Sequence, residues 1–494
     1  AAACGEIEVR YVQGPAGPAG PAGAQGERGA TGATGAAGAA GQAGETQVVV
    51  QEKVVTVEKQ VVVEAQAKAP IKLTYLNKHF PGTVNYEWDN LMYQRVAEEY
   101  PHIVFEHSPI KTSRKEAFIV RASAGVPAHM VQNDWGVWLD LARGGSIMEL
   151  TDNFKRDKIV PTETFLRWSV EQYSFAGRMF GFPLSQSSDS FPYNKGLFDK
   201  AGLPHPPTDV TDESWTMESF LETLQKLQQA LGDEAAAMGN GHGYHWNRGT
   251  WYGHSSWDDV AIKPTMDHEL FIKGNQFWQD LRHKHRLIMD SEFSKAIGGI
   301  GKGFPAGKVA MYYTCCPHNV LRDAKATGVE AGLATLPFSG WDTNGNTIFP
   351  GQNISGRVWP HNMHVAKEIT TEEQEAAWTF FMWLVKDPKN GGLMPPSNQH
   401  IVAPYLDETY SEAAQRDFES ITGVDSVASS APLQNALTEY PSFCGMLKYE
   451  EYSDAWNTIK DDWSKHEANE MSSGDFSRRA QEVFTNAKLG SNTL

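Results

Sequence analysis

Apolar and polar residues alternate along Ile71-Lys72-Leu73-Thr74-Tyr75-Leu76, the period-two pattern of a strand with two unlike faces. Asn77-Lys78-His79 and Pro81-Gly82 end it. A helical stretch follows from Asp89 to Tyr100, then a strand from His102 to His107 and a second helical stretch through Phe118 to Ala124. Gly125 and Pro127 break that stretch, and His129 to Asp134 reads as the next strand. Strands alternating with helices predict an α/β lobe with a largely parallel sheet. Ligands of such lobes bind beyond the carboxyl ends of the strands. Asn77, His79, Asp134 and Trp135 therefore fall at the expected binding edge.

The same reading continues downstream. Tyr193-Asn194-Lys195-Gly196-Leu197-Phe198-Asp199-Lys200-Ala201-Gly202-Leu203 is a strand end, a short helix with Leu197 and Ala201 on one face, and a glycine stop. Pro204, Pro206 and Pro207 forbid its continuation. Thr216 is placed to cap a helix that has Glu218 and Ser219 in its first turn. From Glu373 to Val385, the residues Ala376, Ala377, Phe380, Phe381 and Leu384 recur at helical spacing. A chain of 494 residues exceeds one ordinary core, so two lobes with appendages are expected.

Before residue 70 the pattern changes. Glycine occupies every third position from Gly14 to Gly44, with proline only at 15, 18 and 21. That is the collagen period, and with so little proline it fits either a weak triple helix or an extended spacer, the reading preferred here. Residues 46–66 interleave valine with charge, which favours extended chain over helix. Ala1-Ala2-Ala3-Cys4-Gly5 looks like the end of a bacterial lipoprotein signal, so Cys4 is the expected lipid anchor. The expected organisation is thus 1–13 anchor region, 14–45 stalk, 46–69 linker and 70–494 globular part.

Composition narrows the chemistry. A formal net charge of −17 argues against nucleic acid or an anionic membrane surface as partner. No apolar run approaches about 20 residues, so any membrane attachment would come through an N-terminal lipid alone. Cys315, Cys316 and Cys444 show no zinc or disulfide spacing, and free thiols are the reading preferred over a bridge to Cys444. His242-Gly243-Tyr244-His245, His283-Lys284-His285 and His361-Asn362-Met363-His364 lack accompanying ligands at metal spacing, so no metal or other cofactor is expected. Gly301 to Val309 misses the phosphate-loop spacing and carries Val309 where a hydroxyl should hold magnesium. No Gly-x-Ser-x-Gly elbow occurs, and no catalytic residue is assigned. The stretch Tyr244-His245-Trp246-Asn247-Arg248-Gly249-Thr250-Trp251-Tyr252 combines flat apolar rings with planar polar groups in a glycine-broken loop. Those are the surfaces a sugar needs for its C–H faces and its hydroxyls.

Several segments, in order, resemble the extracellular solute-binding proteins of family 1, the receptors of ABC importers. They are Ala128 to Phe154 with Leu150-Thr151-Asp152, Gly177 to Asn194, Tyr193 to Leu203, Trp215 to Phe220, Phe304 to Met311, Leu336-Pro337 and Glu373 to Val385. One departure is Tyr312-Tyr313-Thr314-Cys315-Cys316-Pro317 after Met311, where many members carry Gly and Trp. The resemblance spans about residues 70–490 and implies a periplasmic-binding-protein-like α/β fold: two lobes, hinge crossings and a ligand cleft. Lobe one would hold about 71–186 and 337–402, lobe two about 190–334 and 403–490. It also implies a lipid-anchored receptor outside a bacterial cytoplasmic membrane that delivers a carbohydrate-like solute to permease subunits supplied by other chains. Expected contacts are Asn77, His79, Asp134, Trp135, Ser187, Asp189, Trp246, Trp251, Tyr313, Gly356, Arg357 and Trp359. A carbohydrate-active enzyme and a stalked surface adhesin are the alternatives.

Overall fold

The computed structural model describes residues 69–81, 84–133, 138–188, 190–207, 214–240, 263–289, 291–314, 317–334, 358–391, 405–424 and 450–487. It adds positions 212, 252, 254, 257–258 and 337. All belong to one unit, Lys68–Leu494. The expected anchor and stalk, and the cysteines Cys315, Cys316 and Cys444, lie outside the described residues.

Thirteen strands are described: β1 (Ile71–Asn77), β2 (Ile103–Pro109), β3 (Met130–Asn133), a hairpin β4 (Ser174–Phe175) with β5 (Arg178–Met179), β6 (Phe182–Ser188), β7 (Phe191–Asn194), β8 (Ala236–Asn240), a short ladder β9 (Trp257–Asp258) with β10 (Lys263–Pro264), β11 (Val309–Tyr313), β12 (Ala331–Ala334) and β13 (Val358–Val365). They build two principal sheets, β2-β1-β3-β13-β6 and β12-β7-β11-β8. In the first, β1 runs parallel to β2 and β3, while β13 is antiparallel to both β3 and β6. In the second, β11 and β8 are parallel, and β7 is antiparallel to β11 and β12.

Each sheet thus has one reversed strand. The reason is topological. The chain leaves the first sheet at the carboxyl end of β6 and enters the second as β7; it re-enters the first as β13. A strand arriving from the other sheet starts at the edge where the parallel strands finish, so it must run against them. The largely parallel sheet expected from the sequence is corrected in this one strand per lobe.

Local chemistry sets the helices. Asn194 caps Lys195–Ala201, its side chain accepting from the Leu197 amide, and Gly202 ends the helix at φ +66°. Phe198 is its deepest residue, fully buried, with Leu197 and Ala201 only partly covered. Thr216 and Ser219 form a reciprocal capping box on Met217–Leu231, and Thr370 with Glu373 does the same for Thr371–Lys386. Phe220, Leu224, Leu227 and Leu231 face Phe191 and Met311 of the second sheet. Phe380 and Phe381 face Leu73, Tyr75 and Phe182 of the first, with Phe182 and Phe381 stacked at 4.4 Å.

The helices Glu450–Glu467 and Ser473–Thr485 close the chain. A buried chain of bonds fixes them to Glu269–Gln279. Gln279 Nε2 donates to the His466 carbonyl (2.7 Å) and its Oε1 accepts from Ser473 Oγ (2.8 Å). Ser473 Oγ has then used its proton, so His466 Nε2, 3.0 Å away, is the donor to it. Among the described residues no helix is long and apolar enough to cross a membrane.

Candidate functional site

The carboxyl ends of β1 and β2 carry a dense buried polar group. Asn77 ends the face of β1 that also holds Leu73 and Tyr75, so its side chain enters the core side of the sheet rather than solvent. Its Nδ2 donates to Asp89 Oδ2 at 3.1 Å, and its Oδ1 accepts from the backbone N–H of His79 at 3.1 Å. His79 Nδ1 meets the same Asp89 oxygen at 2.5 Å. Asp89 comes from the helix Val84–Glu99 and is fully buried. His107, on β2, lies between the rings of Tyr86 (4.3 Å) and Tyr93 (5.0 Å).

Hydrogen-bond chemistry orders the protons. His107 Nε2 is 3.0 Å from Asn90 Oδ1, an acceptor, so Nε2 carries the hydrogen. The His107 Nδ1 lone pair then faces Asn77 Nδ2 at 3.4 Å and Asp89 Oδ2 at 3.7 Å. Burial pushes the Asp89 carboxyl above its usual range, opposed by the His79 hydrogen bond and charge. Burial likewise holds His107 below the usual histidine value, against the attraction of Asp89. The arrangement bolts the Asn77–Phe80 turn to the helix that follows it. Asp89, Asn90 and His107 did not stand out in the sequence. Asp89 reads there as a helix start, whereas the helix begins at Val84 and has Asp89 inside it.

The other expected contacts fall as follows. Tyr313 ends β11 and is 1% exposed, its ring against Phe191 (5.3 Å) and Trp278 (5.4 Å), as a core residue. Thr314 beside it exchanges backbone hydrogen bonds with Ser190, the first residue after Asp189. Ser187 on β6 and Trp359 on β13 are paired directly across the ladder. Asp134, Trp135, Asp189, Trp246, Trp251, Gly356 and Arg357 lie outside the described residues. The backbone thus pairs Ser187 with Trp359 on the first sheet and Ser190 with Thr314, next to Tyr313, on the second. Among the described residues no group of three or more His, Cys, Asp or Glu is arranged to hold a metal ion.

Two α/β sheets joined by the crossing from β6 to β7 and the return into β13 define a bilobal architecture. The chain belongs to the bacterial extracellular solute-binding protein family, whose sequence model matches residues 87–390. Its fold is similar to that of solved substrate-binding proteins. The maltose/maltodextrin-binding domain MalE of Bdellovibrio bacteriovorus, bound to maltotriose, is 13% identical at a TM-score of 0.57, covering 84% of this chain and 98% of that one. The ABC substrate-binding protein Lmo0181 of Listeria monocytogenes, in complex with cycloalternan, is 15% identical at 0.58, with the same coverage. UgpB of Mycobacterium tuberculosis, in complex with glycerophosphocholine, is 16% identical at 0.61, covering 84% and 97%. No curated protein sequence matches the chain.

Proposed function

We propose that this protein is the solute receptor of an ABC importer and that its solute is a sugar or a sugar-like compound. The observation that carries the reading is the pair of strand crossings, β6 to β7 outward and β13 on return, in a chain matching the solute-binding family over residues 87–390. Two lobes joined at crossings can close on a ligand, and the closed form is what a permease would recognise. The lobes comprise about residues 71–186 with 337–402, and about 190–334 with 403–490. Trp246, Trp251 and Trp359 supply the flat surfaces; Asp134, Asp189, Arg357 and Ser187 supply hydrogen bonds; Trp135 and Gly356 border them. Binding in the cleft requires no catalytic group and no cofactor. Cys4 carries the lipid that holds the receptor outside the cytoplasmic membrane, and residues 14–69 act as its stalk.

The test is a thermal-shift screen of the protein against mono- and oligosaccharides, polyols, sugar phosphates and peptides. A ligand that binds only the folded state raises the midpoint by mass action. A saturable shift with one sugar, recovered chemically intact, is the expected outcome. No shift with any sugar, or consumption of the sugar, would overturn the receptor reading. With a ligand in hand, Trp246→Ala or Trp251→Ala should weaken binding by at least about 1 kcal/mol. The unliganded midpoint should stay nearly unchanged. A large fall in that midpoint would make the residue part of the core instead.

A further inference from the structure

The outer side of β8, the last strand of the second sheet, is completed in two different ways. Along its later part the backbone of residues 287–289 adds on: the Met238 N–H donates to the Leu287 carbonyl (3.1 Å) and the Met289 N–H to the Met238 carbonyl (2.8 Å). At its start the Gln228 amide takes the place of a strand. It accepts from the Ala237 N–H at 2.9 Å and donates to the Gly232 carbonyl at 2.7 Å. A cavity of about 180 Å³ is lined from both parts, a volume class that takes up a benzene-sized group in other proteins. Ala236, Ile288, Met289 and Phe293 form its apolar wall, and Asp233 and Arg286 bring opposite charges to it. The cavity sits where Ala236 pairs with Val309, whereas the crossing between the sheets lies at the other end of β11, where Thr314 pairs with Ser190. The five residues of β11 put roughly 17 Å between those ends.

Arg286 is held there against its backbone preference. The chain turns on it after the helical turn Asp280–Lys284, the His285 N–H donating to the Asp280 carbonyl and the Leu287 N–H to the Leu281 carbonyl, both at 2.8 Å. Its φ is +55°, in the left-handed region that helix ends usually fill with glycine. An arginine at that angle is strained, so the position favours its loss unless the side chain is used. Yet its guanidinium has no hydrogen bond or ion pair among the described residues. The Asp233 carboxylate has none either, although both groups line one cavity.

We propose that this cavity is a binding site for a free apolar α-amino acid, at the end of β8 remote from the crossing. The Arg286 fork fits a carboxylate, and the Asp233 carboxylate accepts from an ammonium group. Ile288, Met289 and Phe293 receive the apolar side chain. The same groups select against other ligands. A neutral sugar answers neither charge. An inorganic anion meets Asp233 and leaves the apolar wall bare, and an amine without a carboxylate meets Arg286.

Isothermal titration of the full chain with L-phenylalanine and L-leucine tests the site. Saturable binding is expected. N-acetylphenylalanine and phenylalaninamide, each short of one charge, should bind at least about tenfold more weakly. Arg286→Gly should weaken phenylalanine binding by at least about tenfold. The unliganded thermal midpoint should hold or rise, because glycine takes φ +55° without strain. Asp233→Asn should weaken phenylalanine but leave N-acetylphenylalanine unaffected, since that compound has no ammonium to lose. No binding at millimolar amino acid would overturn the proposal, as would equal binding of the blocked compounds. Binding that survives Arg286→Gly would overturn it too, by placing the amino acid elsewhere on the chain. If the glycine variant is unstable, Asp233→Asn, on an exposed turn, decides in its place.

Discussion

Asp89→Ala is expected to destabilise the protein by about 3–5 kcal/mol, the usual result of removing one partner from a buried charged pair. One carboxylate oxygen, Oδ2, serves both His79 Nδ1 and Asn77 Nδ2. Alanine would take the Asp89 acceptor from both groups in a buried setting, since Asn77 and Asp89 are fully buried and His79 nearly so. Asp89→Asn should be distinctly milder, because an amide oxygen can still accept both bonds. Chemical denaturation of the two variants beside the parent measures the difference. Equal losses for alanine and asparagine would show that shape, not hydrogen bonding, holds the turn, and a loss under about 1 kcal/mol would refute the brace altogether.

The same residues show how far the sequence could be read. Period-two alternation placed β1 correctly at Ile71, and the helical spacing of Ala376, Ala377, Phe380, Phe381 and Leu384 matches the buried face of Thr371–Lys386. These signals are local, so they survive without knowledge of the fold. The role of Asn77 and His79 is not local. Their position at a strand end suggested contact with a ligand, whereas continuing the parity from Leu73 and Tyr75 turns Asn77 inward, toward a helix residue twelve positions on. Tyr313 misleads in the same way, as a polar-tipped ring at a strand end that packs between Phe191 and Trp278. The reversed strands β7 and β13 are also invisible to periodicity, because strand direction depends on which sheet the chain has just left. Asn362 and His364 are the sharpest case. Read as sequence they are two polar residues of a histidine-rich stretch, and only the register slip opposite Pro183 puts them beneath Gly181.

Acid should unfold this protein well before its carboxylates are neutralised. The buried His318 and His364 and the partly buried His254 carry most of the expectation, and His107 is shifted in the same direction. Burial lowers His364 from 6.5 to about 4 despite its bond to the Phe180 carbonyl, and lowers His254 to about 4 as well, with His268 stacked on it at 3.9 Å. His318 is held well below the ordinary value, first by burial and then by the charge of Arg322. A histidine whose folded pKa is depressed takes up its proton more readily when unfolded. Its contribution is intact above about pH 6.5 and is lost progressively as the pH falls toward the folded value. A fall from 6.5 to about 4 corresponds to about 3 kcal/mol for one completely buried group such as His364. Asp89 acts in the opposite sense, since a raised carboxyl gains stability as it is protonated, but it is one group against these histidines. The unfolding midpoint should therefore drop steeply between pH 6.5 and 4. His318→Leu, which removes one of these protons without exposing a new polar atom, should flatten that slope and stabilise the protein most at the acid end. A midpoint level across the window, or a slope unchanged by His318→Leu, would show that these rings are protonated in the fold or reach water, contrary to their burial.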